Sequence, residues 1–374
     1  MRAYLLLMAI AGAVTYLATF VVRKLADRYQ IYPKAIRTRD MHTKPTPRIG
    51  GLAMFIGFVV SIAIAAPIGW FDVVFADPGP IIAISLAALV VMAIGFLDDL
   101  YDLDWTIKLA GQFLAAGVLA WNGVQIVSLP IFGLTVGSFG VSFVVTVLLA
   151  VLVMNAVNFI DGLDGLVAGV VLIGTVVFFI YSYLLSQQIS PTNYFNLATV
   201  ISAIVIGICV GFLPHNWHTA KIFMGDGGAL LLGLLMTASA LTVTGQIDPA
   251  SLKRDDLVPA VLPLILPISI LLLPLLDFAL AVARRLAAGK SPFSADRLHL
   301  HHKLQDFGHG HVGSVLVFYF WSASVSVSCL LLFLTDVVLV VLFATVSISS
   351  SLLYTLWPEI TRIRKRRRKT QNVR

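Results

Sequence analysis

Carboxylates, amides, histidines and a few cations gather at five places in this 374-residue chain, each at the edge of an apolar run. The densest is Asp98-Asp99-Leu-Tyr-Asp102, followed by Asp104 and Lys108. Four carboxylates within seven residues repel one another unless a cation holds them together. Hard oxygen ligands suit Mg2+, which binds one or two carboxylates and completes its shell with substrate phosphates. Asp98 and Asp102 are four apart and would share a face if the segment is helical. A solvated acidic loop is the plainer alternative.

The other four clusters offer complementary groups. In Asn155-Ala-Val-Asn158-Phe-Ile-Asp161-Gly-Leu-Asp164-Gly, polar residues recur every third position. On a helix that spacing draws a slowly drifting stripe, facing either a ligand or a neighbouring helix. Phe212-Leu-Pro-His215-Asn216 leads to Lys221-Ile-Phe223-Met-Gly225-Asp226-Gly-Gly228. Asp226 stands just before an apolar run, either as a helix cap or as a carboxylate beside helix amides. The segment His42-Thr-Lys44-Pro-Thr-Pro-Arg48-Ile-Gly-Gly51 reads equally as a rigid turn or an anion-binding loop. The stretch from Lys290 to His311 carries Asp296-Arg297-Leu-His299-Leu-His301-His302-Lys303. Zn2+ is the weaker reading there, because adjacent histidines point differently and no cysteine completes a ligand set. Contacts to phosphate, hydroxyl or sugar fit better. His309 and His311 read as solvated.

Together these groups are what phosphoryl transfer requires: a divalent metal, cations for phosphate oxygens and a group that orients the attacking oxygen. Carboxylates near Asp98 and Asp226 can hold the metal. Lys44, Arg48, Lys108 and Arg297 can neutralise a diphosphate, and Phe223 offers a flat face for a base.

The elements that must position these residues are membrane helices. Hydrophobic residues make up 59% of the chain and charged residues 12%, far from the balance of a soluble domain. A helix crossing the hydrocarbon core needs about 20 apolar residues. Eleven runs qualify, near 3–22, 49–69, 80–97, 106–121, 141–158, 162–186, 193–212, 227–245, 258–283, 313–334 and 336–356. With the amino terminus outside, 23 of the 26 Lys and Arg residues fall on the inner side, which orients the bundle N-outside and C-inside. All five polar clusters then face the cytoplasm. The reading is an all-α polytopic membrane protein, one domain over residues 1–358 with a basic cytoplasmic tail over 359–374. After a last apolar run that tail fits an anchor to anionic lipid rather than a nucleic-acid arm. Cys209 and Cys329 lie in apolar runs and form no disulfide framework.

In these motifs the chain resembles the polyprenyl-phosphate N-acetylhexosamine-1-phosphate transferases. The resemblance is carried in order by Asp98-Asp-Leu-Tyr-Asp102, Asn155 to Gly165, Phe223-Met-Gly-Asp226 and His299-Leu-His-His302. It spans about residues 35 to 312 by motif and all eleven apolar runs by topology. It implies Mg2+, or Mn2+ in its place, with Asp226 as main ligand and Asp98 and Asp99 beside it. It implies that Asp98 deprotonates the lipid phosphate and that Lys108 contacts phosphate. Asn158, Asp161, Asp164, Asn216 and Phe223 would line the uridine and metal pocket, while Arg297, His299, His301 and His302 would meet the sugar-phosphate. Lys44 and Arg48 would add cationic contacts. Direct attack by the lipid phosphate is the simpler of two routes, the other passing through an aspartate-bound phosphosugar.

Pro45-Thr-Pro-Arg48-Ile-Gly-Gly and Arg297-Leu-His-Leu-His-His are similar to the GlcNAc-1-phosphate branch, with undecaprenyl phosphate as acceptor and a UDP-N-acetylhexosamine as donor. The resemblance thus implies a plasma-membrane enzyme that starts a cell-envelope polysaccharide, and it is compatible with a homodimer. The phospho-MurNAc-pentapeptide transferase of peptidoglycan synthesis is the neighbouring alternative. A transporter is the alternative from another class, but the chain has no matching halves and its ionisable residues sit at span ends.

Overall fold

The computed structural model of the chain describes residues 1–32, 46–126, 138–189, 196–244, 265–266, 268–269, 272–289 and 300–371. Lys44, Arg297 and His299 lie outside the described residues, as do the side chains of His301 and His302. Among the described residues the secondary structure is helical throughout: α1 Arg2–Tyr29, α2 Gly50–Ala65, α3 Asp72–Phe75, α4 Gly79–Tyr101, α5 Trp105–Trp121, α6 Phe139–Phe159 and α7 Leu166–Ile189. The remainder are α8 Leu197–Asn216, α9 Gly225–Thr244, α10 Leu272–Ala287, α11 Leu300–Asp306, α12 His311–Leu334 and α13 Val337–Gln371.

A helix, or for 258–283 part of one, stands at each apolar run expected to span. Eight of the described helices are long and apolar enough to cross a bilayer, and α2 with the segment Gly69–Phe75, bent by 95°, makes a ninth. The count of eleven is not reached because α5 has only 17 residues and the described part of α10 only 16. The last span does not end at residue 356. α13 runs 35 residues without a break, carrying helix into the basic tail.

α9 is the axis of the bundle, in contact with α2, α4, α6, α7 and α8. Lipid tails are as apolar as leucine, so helices in a membrane associate through close packing rather than through escape from water. The α9 sequence begins Gly-Asp-Gly-Gly, and its neighbours press backbone against backbone there. A methyl group added at Gly95 of α4 would stand 2.2 Å from Gly227 Cα, and one at Gly51 of α2 would stand 2.3 Å from Gly228 N.

Successive antiparallel helices bring the start of α2, the ends of α4, α6 and α8, and the starts of α5, α7 and α9 to one end of the bundle. The first turns of α1 lie at the opposite end, where the Asn196 N–H donates to the Tyr4 hydroxyl at 3.4 Å. α12 starts at the polar end and α13 returns to it, fastened where Trp321 Nε1–H donates to Thr355 Oγ1 at 3.1 Å.

Candidate active site

The polar end is built around the junction of α4, α5 and α9. α4 stops at Tyr101 because Asp102 turns left-handed (φ 55°) and its N–H returns to the Asp98 carbonyl at 2.8 Å. The Asp98 carboxylate then accepts the Leu103 N–H through Oδ1 at 2.8 Å and faces Lys108 Nζ through Oδ2 at 3.0 Å. Lys108 sits in the first turn of α5, whose start is capped by Asp104 accepting the Thr106 N–H at 2.9 Å. Bonds from the Thr106 hydroxyl and N–H hold the Asp104 carboxyl below the ordinary carboxylate range.

The same Lys108 Nζ lies 3.3 Å from Asp226 Oδ2, so one ammonium joins two carboxylates 128 residues apart in sequence. Asn158, on the last turn of α6, and Asp98 both act electrostatically on the Asp226 carboxylate. Asp99 has a different place. Its two oxygens accept the N–H groups of Asp226 at 3.0 Å and Gly227 at 3.4 Å, capping the first turn of α9. The helix cap, the alternative reading for Asp226, therefore belongs to Asp99, and the Asp226 side chain is turned toward Lys108.

Glycine is required where α9 begins. Gly225 has φ +69°, and a Cβ there would lie 2.0 Å from the Arg48 carbonyl oxygen and 2.3 Å from Asp99 Oδ2. The segment after residue 45 is hydrogen-bonded along this turn: Phe223 N–H to Pro47 O at 2.9 Å, Gly50 N–H to Phe223 O at 2.9 Å, and Gly51 N–H to Met224 O at 2.8 Å. Arg48 and Phe223, expected as an anion contact and a base platform, are thus set on strands of backbone that touch the Asp226 turn.

Hard carboxylate oxygens beside one lysine form a donor set that fits Mg2+, whose usual protein complement is one or two carboxylates plus phosphate oxygens. Asp226 and Asp98 could supply those ligands. Asp99 is engaged with α9.

The polar series from Asn155 to Asp164 does not run along one helix. α6 ends at Phe159, so Asn155 and Asn158 are helical while Asp161 and Asp164 stand on the turn before α7. Asn155 exchanges hydrogen bonds with Gln112 of α5, a pairing between helices rather than a ligand contact. Asn216 is buried, accepting the Gly165 N–H at 3.0 Å and donating to the Ile222 carbonyl at 3.0 Å. It is a strut between two loops, holding their backbones together.

Asp164, also buried, faces three groups through Oδ2: the Ala220 N–H at 3.1 Å, His218 Nδ1 at 3.3 Å and His311 Nε2 at 3.8 Å. The expectation that His309 and His311 are solvated is overturned. His309 is buried with Nε2 2.9 Å from the Thr355 carbonyl oxygen, and His311 stacks on His218 with ring centroids 4.6 Å apart. Glycine-flanked histidines look like loop residues until their tertiary partners are seen. Sequence reasoning also passed over Asp277 and Arg285. Asp277, in a predicted span, accepts the Leu300 N–H at 2.9 Å and so caps α11, the helix carrying His301 and His302. Arg285 is buried with its guanidinium 5.6 Å from the Phe159 ring centroid, at the last residue of α6. An ionisable residue inside an apolar run was the available signal for Asp277.

The chain is also similar in sequence to known proteins. The profile of glycosyl transferase family 4 matches residues 81–244, from α4 to the end of α9. The chain is 41% identical over 319 residues to the decaprenyl-phosphate N-acetylglucosaminephosphotransferase of Mycolicibacterium smegmatis, covering 83% of this chain and 77% of that protein. It is 32% identical over 329 residues to a probable undecaprenyl-phosphate N-acetylglucosaminyl 1-phosphate transferase of Bacillus subtilis, covering 86% and 84%. A phospho-N-acetylmuramoyl-pentapeptide-transferase of Halalkalibacterium halodurans is 29% identical over 306 residues, covering 77% and 83%.

Proposed function

The chain belongs to glycosyl transferase family 4, in the branch of polyprenyl-phosphate N-acetylglucosamine phosphotransferases, and we propose that it moves GlcNAc-1-phosphate from UDP-GlcNAc to a polyprenyl phosphate. The acceptor is of the undecaprenyl or decaprenyl class named for its relatives. An oxygen of the lipid phosphate attacks the sugar-proximal phosphorus, the bond from that phosphorus to the bridging oxygen breaks, and UMP leaves. The product is a diphosphate-linked lipid.

The observation that carries this reading is the bridge of Lys108 between Asp98 and Asp226 at 3.0 and 3.3 Å. An ammonium held between two carboxylates is the charge arrangement a diphosphate and its counter-ion call for, which supports the reading. Asp98 takes the acceptor's proton and Lys108 neutralises phosphate oxygens. Asn158 favours the ionised form of the Asp226 carboxylate. Mg2+ held by Asp226 and Asp98 would supply further charge neutralisation of the diphosphate. Arg48, Asp161, Asp164 and Phe223 surround the nucleotide, and Arg285 lies against Phe159 at the end of α6. The bundle lies in the plasma membrane with the site at its cytoplasmic face, and α2, α5 and α10 would complete eleven crossings beside the eight long apolar helices.

The test is turnover by the purified full chain with Mg2+, undecaprenyl phosphate and a panel of UDP-sugars. UDP-GlcNAc should react with UMP as the nucleotide product, UDP-glucose poorly, and UDP-MurNAc-pentapeptide not at all. Release of UDP would mean glycosyl transfer, and preference for the pentapeptide donor would move the chain to the peptidoglycan branch.

A further inference from the structure

Three segments far apart in the chain converge on Asp164. The turn Ile160–Gly165 supplies the carboxylate, the loop after α8 supplies His218 and the Ala220 N–H, and α12 supplies His311 at its first residue. His218 is 54 residues from Asp164 and His311 is 147. The bonds run in both directions. The Asp164 N–H donates to His311 Nε2 at 3.1 Å, while Asp164 Oδ2 faces His218 Nδ1 at 3.3 Å and accepts the Ala220 N–H at 3.1 Å. The next residue is held as firmly. The Gly165 N–H goes to Asn216 Oδ1 at 3.0 Å, and the Gly165 carbonyl accepts the hydroxyl of Tyr319, two turns along α12, at 2.5 Å. The turn is therefore fixed from α8 on one side and from α12 on the other.

α12 is also the helix that follows α11, and only the residues Phe307 to Gly310 separate them. His311 is thus nine positions from His302. His311 therefore joins the turn bearing Asp161 and Asp164 to the chain segment that carries α11.

We infer that His218 and His311 are positioning residues for the nucleotide-sugar donor, acting through Asp164 to lock the Ile160–Gly165 turn against the segment that carries the histidine helix. The inference rests on the proposed reaction for its choice of substrate. A transition metal is the rival occupant. The oxygen and two nitrogens lie within 4.8 Å of one another, and among the described residues this group, rather than Asp98, Asp99 and Asp226, comes that close together. Two facts favour the hydrogen-bonded bracket. The in-plane lone pair of His311 Nε2 already accepts a backbone N–H, and Asp164 Oδ2 already accepts another.

The lock is tested on the detergent-purified full chain by kinetics with donor and acceptor varied separately, and by hydrogen exchange of residues 160–166 without substrate. His311→Leu removes the acceptor of the Asp164 N–H and should raise the donor KM about tenfold, leaving the acceptor KM within about twofold. Exchange across the turn should quicken. His311→Gln places Oε1 where Nε2 stands and should recover most of the donor KM. His218→Asn should likewise recover function relative to His218→Leu, because Nδ2 of asparagine sits where Nδ1 does. Faster exchange with an unchanged donor KM overturns the inference, since the contact would then be structural only. Unchanged exchange overturns it as well, as does failure of the glutamine variant to outperform leucine. Stoichiometric Zn2+ retained by the wild type and lost in both leucine variants would establish the metal site instead. A wild type inert toward UDP-GlcNAc would count against the assigned reaction, and the exchange comparison would still decide whether the bracket exists.

Discussion

Asp99 and Asp226 are both conspicuous carboxylates, yet their surroundings ask different things of them. Asp99 spends both oxygens on N–H groups at the start of α9, whereas Asp226 presents Oδ2 to Lys108. Asp99→Asn keeps one carbonyl oxygen but turns an NH2 toward an N–H. It should cost about 1 kcal/mol or more of stability, the range for losing a helix cap. Asp226→Asn relieves repulsion with Asp98 and Asp99 but gives up the ion pair with Lys108, so the melting midpoint should move little. Its turnover should fall about 100-fold or more, the scale of losing one well-placed electrostatic group. Melting midpoints and kcat of the two variants separate the roles. Near-normal turnover in Asp226→Asn, or an unchanged midpoint in Asp99→Asn, would refute the assignment. Asp98, Lys108 and Asp226 could be picked out from sequence because ionisable groups beside apolar runs are costly and so need a reason to be there. That Asp99 rather than Asp226 caps α9 could not, since both lie next to apolar runs and only the pairing of α4 with α9 distinguishes them.

Helix positions were legible because hydrophobic length is a strong signal, and each apolar run carries a helix. What length cannot convey is how closely two backbones approach. Gly95 reads as an ordinary small residue in a span, but its α-carbon faces the first turn of α9, and a methyl group there would lie 2.2 Å from Gly227 Cα and 2.4 Å from its nitrogen. Backbone atoms cannot rotate aside, so the contact outweighs the ~1 kcal/mol that alanine gains over glycine in a helix. Gly95→Ala should destabilise by about 1–3 kcal/mol, as overpacking does, and displace Asp226 from Lys108. Gly117 of α5 is the control, for its added methyl would find its nearest neighbour, Phe143 Cζ, at 4.0 Å. Gly117→Ala should hold or raise stability by up to about 1 kcal/mol. Thermal midpoints in one detergent decide this; two variants that melt alike would show that the close α4–α9 contact is not what sets the site.

The distribution of charge over the whole bundle gives it a direction. The end that carries Asp98, Lys108 and Asp226 also receives Arg23, Lys24 and Arg28 from the end of α1, Lys221 from the loop after α8, and Arg284 and Arg285 from the end of α10. Arg2 stands at the other end, near Tyr4. α13, 35 residues long, rises about 1.5 Å per residue, so it outruns the ~30 Å hydrocarbon core and carries its last turns past it on the site side. Those turns begin the basic run Arg362 to Lys369, each cation of which gains about 1 kcal/mol near an anionic leaflet. Positive charge favours the cytoplasm, so the site and the tail should both face it. Single cysteines can read this in spheroplasts treated with a membrane-impermeant maleimide. Asp77→Cys, exposed at the start of α4 and hence at the far end, should label in intact spheroplasts. Thr370→Cys in the tail should label only after permeabilisation. The native thiols add little background, because Cys209 is buried and Cys329 lies within α12. Labelling of Thr370→Cys in intact spheroplasts would invert the molecule and place its site on the outer face, away from the cytoplasmic nucleotide-sugar the proposed reaction needs.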